Sequence, residues 1–320
     1  MKLASFERNG KAAIGAVDTG KNEILDLAVA SGGKPVFASM LALIEAGPTV
    51  LAEAKQLAAA WSKDAVLPLA GAKLLAPVPV PAQIRDASVY ATHVRNAPRG
   101  MQRWLARKNG GEEAAAKIQA EPDVPPVYRQ LPVYYISNRF SVVGPDTTVQ
   151  WPRYSELMDF ELEFGIFIGK RGKNISAASA KEHIFGYTIF NDFSARDQQM
   201  LEMQGRLGPT KGKSFDMGNA MGPWIVTTDE LGDPEKLNVE VRVNGETWAK
   251  NTTADMMHNF EKMIEHISKD ETLQPGEFIG SGTVGNCCGL EQDRFLQDGD
   301  TIELHVDKIG VLRNKVVKQK

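Results

Sequence analysis

Apolar and polar positions along the chain change rhythm twice. The opening runs "MKLASFE", "KAAIGAVD" and "EILDLAVA" are split by Asn-Gly and Thr-Gly-Lys turns and predict three short strands. "PVFASMLALIEAG" and "VLAEAKQLAAAW" then turn rich in Ala and Leu, which predicts helices. Pro77, Pro79 and Pro81 make the next stretch a stiff, extended connection. A boundary here divides the chain into a small domain, 1–72, and a larger one, 73–320. "SVYATHVRNAPRGMQRWLARK" predicts a helix, and the 109–126 stretch after it a surface excursion. Beyond that the strand rhythm dominates, through "VQW", "FELEFGIFIGK", "IFGYTIFND", "GPWIVTT", "LNVEVRVNGETW", "EFIGSGTVG" and "TIELHVDKIGVLRNKV". Asn244-Gly245 marks a hairpin, and "NTTADMMHNFEKMIEHISKD" is an amphipathic helix between strands. Helices interrupt without βαβ alternation, so the expected class is α+β, mostly β, with a mixed, rolled sheet rather than a doubly wound one.

One strand breaks the apolar pattern in an informative way. In "FELEFGIFIGK", Phe160, Leu162, Phe164, Ile166 and Ile168 load one face, and Glu161 and Glu163 share the other. Their Cβ atoms stand about 7 Å apart, close enough to repel. Asp159 adds a third acid on the Glu161 side, and the strand "IFGYTIFND" ends at Asp192. Glu161, Glu163 and Asp192 together make an oxygen set suited to Mg²⁺, Mn²⁺ or Ca²⁺ rather than zinc. Glu-x-Glu is a common pattern, and the spacing equally admits an acidic, solvent-facing edge.

The other candidates read as structural when taken singly. Ser194 and Asp197 have capping-box spacing for the helix that follows. Arg196, Gln199 and Met203 share one face of that helix. "GPTKGKSFD" is not a phosphate loop, because only three residues separate Gly208 from Gly212; Lys213 by itself reads as a surface lysine. His93 is a lone histidine seven residues after Asp86. Cys287 and Cys288 read as two small buried hydrophobes, which fits a reducing cytoplasm.

Composition adds exclusions. The 320 residues are 42% hydrophobic and 24% charged, with a net charge of -3. That supplies a sizeable core and no basic field, so no nucleic acid or membrane surface is expected as a partner. Charges interrupt the first residues, so no signal peptide is expected, and the expected location is cytoplasmic.

The segments "DFELEFGIFIGK", "HIFGYTIFNDFSARDQQ", "LGPTKGKSFD" and "GSGTVG", in that order, resemble the fumarylacetoacetate hydrolase family, as does "RDASVYATHV" with its Asp-x6-His spacing. The resemblance runs from about Leu75 to Val316. It implies a mixed β-sandwich roll behind a small N-terminal α/β domain, a bound Mg²⁺ (or Mn²⁺ or Ca²⁺) and a homodimer. It implies metal ligands at Glu161, Glu163 and Asp192, with Asp86 matching a further aspartate ligand of fumarylacetoacetase. His93 falls on the family's general base and Glu291 on its glutamate partner. Lys213, Arg196 and Gln199 match polar groups around the substrate, and Tyr135 and Thr283 match substrate-contacting positions. A substrate arginine corresponds to Arg99 or Arg103, between which the spacing does not choose. Ser88 and Met203 replace substrate-touching tyrosines. The implied activity is hydrolysis of a carbon–carbon bond in a diketo acid, fumarylacetoacetate- or acylpyruvate-like. The alternative is a hydratase, isomerase or decarboxylase of a related 2-keto acid in the catabolism of aromatic compounds or sugars.

Overall fold

The computed structural model describes residues 1–119 and 121–319. A mixed sheet of twelve strands forms the centre of the molecule. Its main path runs Val66–Pro68, Glu23–Asp26, Lys11–Asp18, Lys2–Arg8, Asn219–Thr227, Ile184–Asp192, Leu162–Ile168, Phe278–Gly280, Ile84–Ala87 and Tyr134–Ser137. Segment 1–72 therefore adds strands to the sheet that carries the later residues, through the antiparallel pairing of Leu3 with Ile225. A five-stranded sheet, ordered Glu246–Thr252, Asn238–Val243, Thr301–Val306, Gly310–Lys318 and Thr148–Trp151, forms a second layer. The fold is α+β, as the strand rhythm predicts.

The central strand Leu162–Ile168 is buried along its whole length. Leu162, Phe164, Ile166 and Ile168 join a core with Val241, Leu304 and Leu312 of the second sheet and with Phe260, Met263 and Ile264 of the helix Phe260–Ile267. Phe167 points the other way, into a second core with Phe190, Phe278 and the N-terminal helix residues Leu43 and Ile44. Alternation puts Glu163 on the Phe167 face and Asp192 on the Phe190 face. The acids thus share a face with a fully buried apolar cluster.

Local chemistry accounts for the boundaries. Asn244 and Gly245 take φ of 51° and 81°, the left-handed pair that a tight hairpin turn needs. "EILDLAVA" splits into a strand and a short helix, because the Asp26 carboxylate caps Val29 N–H. The strand Glu246–Thr252 absorbs the start of "NTTAD", and the following helix begins after its cap Asn259. The 109–126 excursion is corrected in part. The helix Ala91–Ala116 continues through "EEAAA", strong helix formers, past a break at Gly111, where φ is 72°. A second helix, Pro126–Gln130, closes that stretch, and its residue Ala120 lies outside the described residues. No described helix is long and apolar enough to cross a membrane.

Candidate active site

Neighbouring strands bring three carboxylates together. Glu163 lies on Leu162–Ile168 and Asp192 ends the adjacent Ile184–Asp192. Asp86 lies on Ile84–Ala87, opposite Gly280, which in turn pairs with Gly165. Gly280 makes the convergence sterically feasible. A Cβ there would collide with Asp86 Oδ1 and stand 3.3 Å from Glu163 Oε2.

All three acids are buried, and one oxygen from each can be chosen so that all lie within 4.8 Å of one another. No donor of the described chain reaches Asp86 Oδ1, Glu163 Oε2 or Asp192 Oδ1. Burial pushes Asp86 well above the usual carboxylate range, and Asp192 adds to the push. Burial and Asp86 do the same to Glu163. Asp192 is raised by burial against the pull of Lys213. Three buried oxygens with no donor are what a hard divalent cation compensates, so these residues fit one.

Glu161 is placed differently from its partner in Glu-x-Glu. It precedes the strand, in an isolated bridge with Cys288. Its Oε1 pairs with Arg196 at 2.8 Å and its Oε2 with Lys213 at 2.5 Å. Burial pushes its carboxyl up, but Arg196, Lys213 and His93 outweigh burial and hold it well below the usual range. Lys213 is no surface residue. It is 2% exposed, and Nζ also meets Asp192 Oδ2 at 2.6 Å and Ser194 Oγ at 2.7 Å. Glu202 fixes its loop by accepting from the N–H groups of Lys211 and Gly212. The capping box is likewise corrected. Ala195 holds the cap position with no side-chain bond, Ser194 serves Lys213, and Asp197 accepts from Ser155 Oγ and Glu156 N–H.

Beside this network stands a His–Glu pair. His93 lies in the first turn of Ala91–Ala116 and is partly exposed. Its Nδ1 is 3.1 Å from Glu291 Oε2, and its Nε2 is 3.7 Å from Glu161 Oε1. Glu291 is fully buried; its Oε1 accepts from Asn286 N–H. Two further side chains pack around this pair. Asp159 accepts from Gly289 and Leu290 N–H and from Arg196 Nε, tying the turn that carries Glu291 to the sheet. Cys288 Sγ lies 3.3 Å from Glu291 Oε2; burial and Glu291 push its thiol well above the ordinary range. The sequence marks Asp159 only as an extra acid on the Glu161 side, and Cys288 only as a small buried hydrophobe. Both cysteines are free and buried, as two small buried hydrophobes would be.

Asp86, Glu163, Asp192, Lys213, Arg196, Gln199 and His93 open onto one cavity of about 430 Å³. The profile of the fumarylacetoacetate hydrolase C-terminal domain matches residues 91–317. The chain belongs to the fumarylacetoacetate hydrolase family. It is 31% identical to the oxaloacetate tautomerase YisK of Bacillus subtilis, over 99% of this chain and 100% of that protein. It superposes on a fumarylacetoacetate hydrolase from Exiguobacterium antarcticum with a TM-score of 0.74 at 29% identity, over 100% of both chains. Its fold also matches maleylpyruvate hydrolase from Sphingobium sp. SYK-6, a structure holding manganese(II) and pyruvate, with a TM-score of 0.72 at 23% identity over 100% of both chains.

The other residues singled out by the family resemblance sort by place. Tyr135 lines the cavity and donates to Asp192 Oδ2 at 2.6 Å; burial and Asp192 push its phenol well up, so it remains a donor. Thr283 lines it too, with Oγ 3.4 Å from Glu163 Oε1. Ser88 and Met203 are also on the wall. Neither Arg99 nor Arg103 lines the cavity, and Arg103 pairs with Asp293 at 3.3 Å.

Proposed function

We propose that this chain hydrolyses a carbon–carbon bond in an acylpyruvate-like diketo acid. The observation that carries the reading is the His93–Glu291 pair, whose His93 lines the cavity that Asp86, Glu163 and Asp192 also line. A divalent cation held by these three acids, with Glu161 beside them, would supply Lewis-acid polarisation of a keto oxygen. Mg²⁺ and Mn²⁺ both suit an all-oxygen donor set.

The chain's own residues supply the rest. Glu291 accepts from His93 Nδ1, which keeps Nε2 free to take a proton from water in the cavity. The resulting hydroxide adds to the distal carbonyl. Gln199 Oε1 is occupied by Arg196 Nη1, so its amide N–H₂ is left to donate toward the developing oxyanion. The tetrahedral oxyanion collapses to a carboxylic acid as the carbon–carbon bond breaks, and protonated His93 gives its proton to the carbon that leaves with the bonding pair. Arg196 and Lys213 keep Glu161 ionised and in place throughout.

The walls bear on the substrate's tail. Val94, Pro98, Met101, Met200, Met203 and Leu290 line the cavity, and its lysine and arginine are Lys213 and Arg196. Both are already paired with Asp159, Glu161 and Asp192. An apolar acyl tail suits such walls better than a second carboxylate.

Tautomerisation of a 2-keto acid is the second reading, favoured by the full-length likeness to YisK. Both readings use His93 for proton transfer and differ in whether water adds. Turnover of Mn²⁺-supplemented acylpyruvates of increasing chain length, and of oxaloacetate, in ¹⁸O-water separates them. Hydrolysis predicts label in a carboxylate product and a loss of about 10²–10⁴-fold in His93→Ala. Keto–enol interconversion without cleavage or label contradicts hydrolysis and assigns the chain to the second reading.

A further inference from the structure

Behind the imidazole of His93 lies a second donor set of different chemistry. Nδ1 of His93, Oε2 of Glu291 and Sγ of Cys288 are separated by 3.1, 3.3 and 3.9 Å. A tetrahedral zinc ion with bonds of about 2.0–2.3 Å sets its donors roughly 3.3–3.8 Å apart, so one ion fits between these three with little movement. Nitrogen, sulfur and oxygen donors select a borderline-soft metal, whereas the all-oxygen group of Asp86, Glu163 and Asp192 selects a hard one. The trio has an exposed neighbour. Asn286, whose N–H holds the other oxygen of Glu291, is exposed, and its Oδ1 accepts a hydrogen bond from half-buried Asn96.

We propose that His93, Cys288 and Glu291 form an inhibitory site for Zn²⁺, distinct from the acid cluster. Binding replaces the thiol proton, which leaves to solvent. The imidazole proton moves from Nδ1 to Nε2 as Nδ1 takes the metal. Nε2 then carries a proton and cannot accept one from water, so filling this site switches off the base. That consequence rests on the role given to His93 above; the binding itself does not.

Binding is therefore tested without substrate. Chelator-stripped protein is first saturated with Mn²⁺ to fill the acid cluster, then titrated with Cd²⁺ as a spectroscopic stand-in for zinc. Cadmium–thiolate bonds give an ultraviolet charge-transfer band that carboxylate or imidazole ligation does not. The expected result is a band that saturates at one Cd²⁺ per chain. It disappears in Cys288→Ser and persists in Cys287→Ser and in Glu163→Gln. His93→Ala, a change at a partly exposed position, keeps the thiol and weakens Cd²⁺ binding at least tenfold. No band in the parent protein overturns the proposal, as does a band that survives Cys288→Ser or unchanged affinity in His93→Ala. In a parallel assay Zn²⁺ stops turnover by the Mn²⁺-loaded enzyme, and Cys288→Ser restores it at the same zinc concentration. Zinc inhibition unchanged by Cys288→Ser overturns the inhibitory role even where the band is present.

Discussion

Lys213 holds Glu161, Asp192 and Ser194 at once, and nothing else described sits between those two carboxylates. Lys213→Met leaves Asp192 buried without its cation and Glu161 with Arg196 alone. Breaking a buried ion pair from one side costs about 3–5 kcal/mol, and that loss is expected in urea unfolding of the chelator-treated protein. Mn²⁺ should recover part of it, because the ion neutralises Asp192 from the other side. A variant as stable as the parent without metal contradicts the network. No sequence pattern shows that Lys213 is buried, since its partners lie 52 and 21 positions away and meet it only once the sheet is assembled. His93 and Glu291, 198 positions apart, are in the same case. Family resemblance brings them together; their spacing cannot. Ser194 and Asp197 show the opposite fault, a local pattern that predicts a cap where longer-range partners claim both side chains.

At the scale of elements, alternation along 160–170 is legible because a strand forces it. Leu162, Phe164, Ile166 and Ile168 enter one core as the pattern requires. What alternation cannot convey is that Glu161 lies just outside the strand, where its carboxylate turns to Arg196 and Lys213 while Glu163 stays with Asp86 and Asp192. Gly280 is the corresponding feature of the neighbouring strand. Gly280→Ala places a methyl group against Asp86 and Glu163. It should lower Mn²⁺ affinity at least tenfold, measured by calorimetry, while the circular dichroism of the sheet is unchanged. Undiminished affinity would show that the cradle does not depend on that gap. The helix Ala91–Ala116 outruns its expected end for a simpler reason. Gly110-Gly111 reads as a stop, yet the alanines and glutamates beyond it re-form a turn at once.

At the scale of the molecule, the strands of 1–72 join the central sheet that also holds Ile84–Ala87, the strand after the prolines. We propose a homodimer, on family resemblance, with sedimentation equilibrium as the check: twice the chain mass of 35.0 kDa is expected, and a monomer throughout the micromolar range refutes it. The acid cluster also links metal binding to pH for the whole fold. Asp86 and Glu163 have folded-state pKa values raised above their unfolded ones. Above the ordinary carboxylate range, the metal-free fold therefore holds more protons than the unfolded chain, and its stability falls as pH rises toward the raised values. A cation displaces those protons, so its affinity must rise with pH over the same window. Calorimetric titration of chelator-stripped protein with Mn²⁺, run at about pH 6 and about pH 8 in buffers of different ionisation heat, tests the central claim most directly. A metal centre at Asp86, Glu163 and Asp192 predicts one ion per chain, protons released on binding, tighter binding at the higher pH, and loss of binding in Glu163→Gln. Folded protein that takes up no Mn²⁺, or a Glu163→Gln variant that binds it as tightly as the parent, would contradict it.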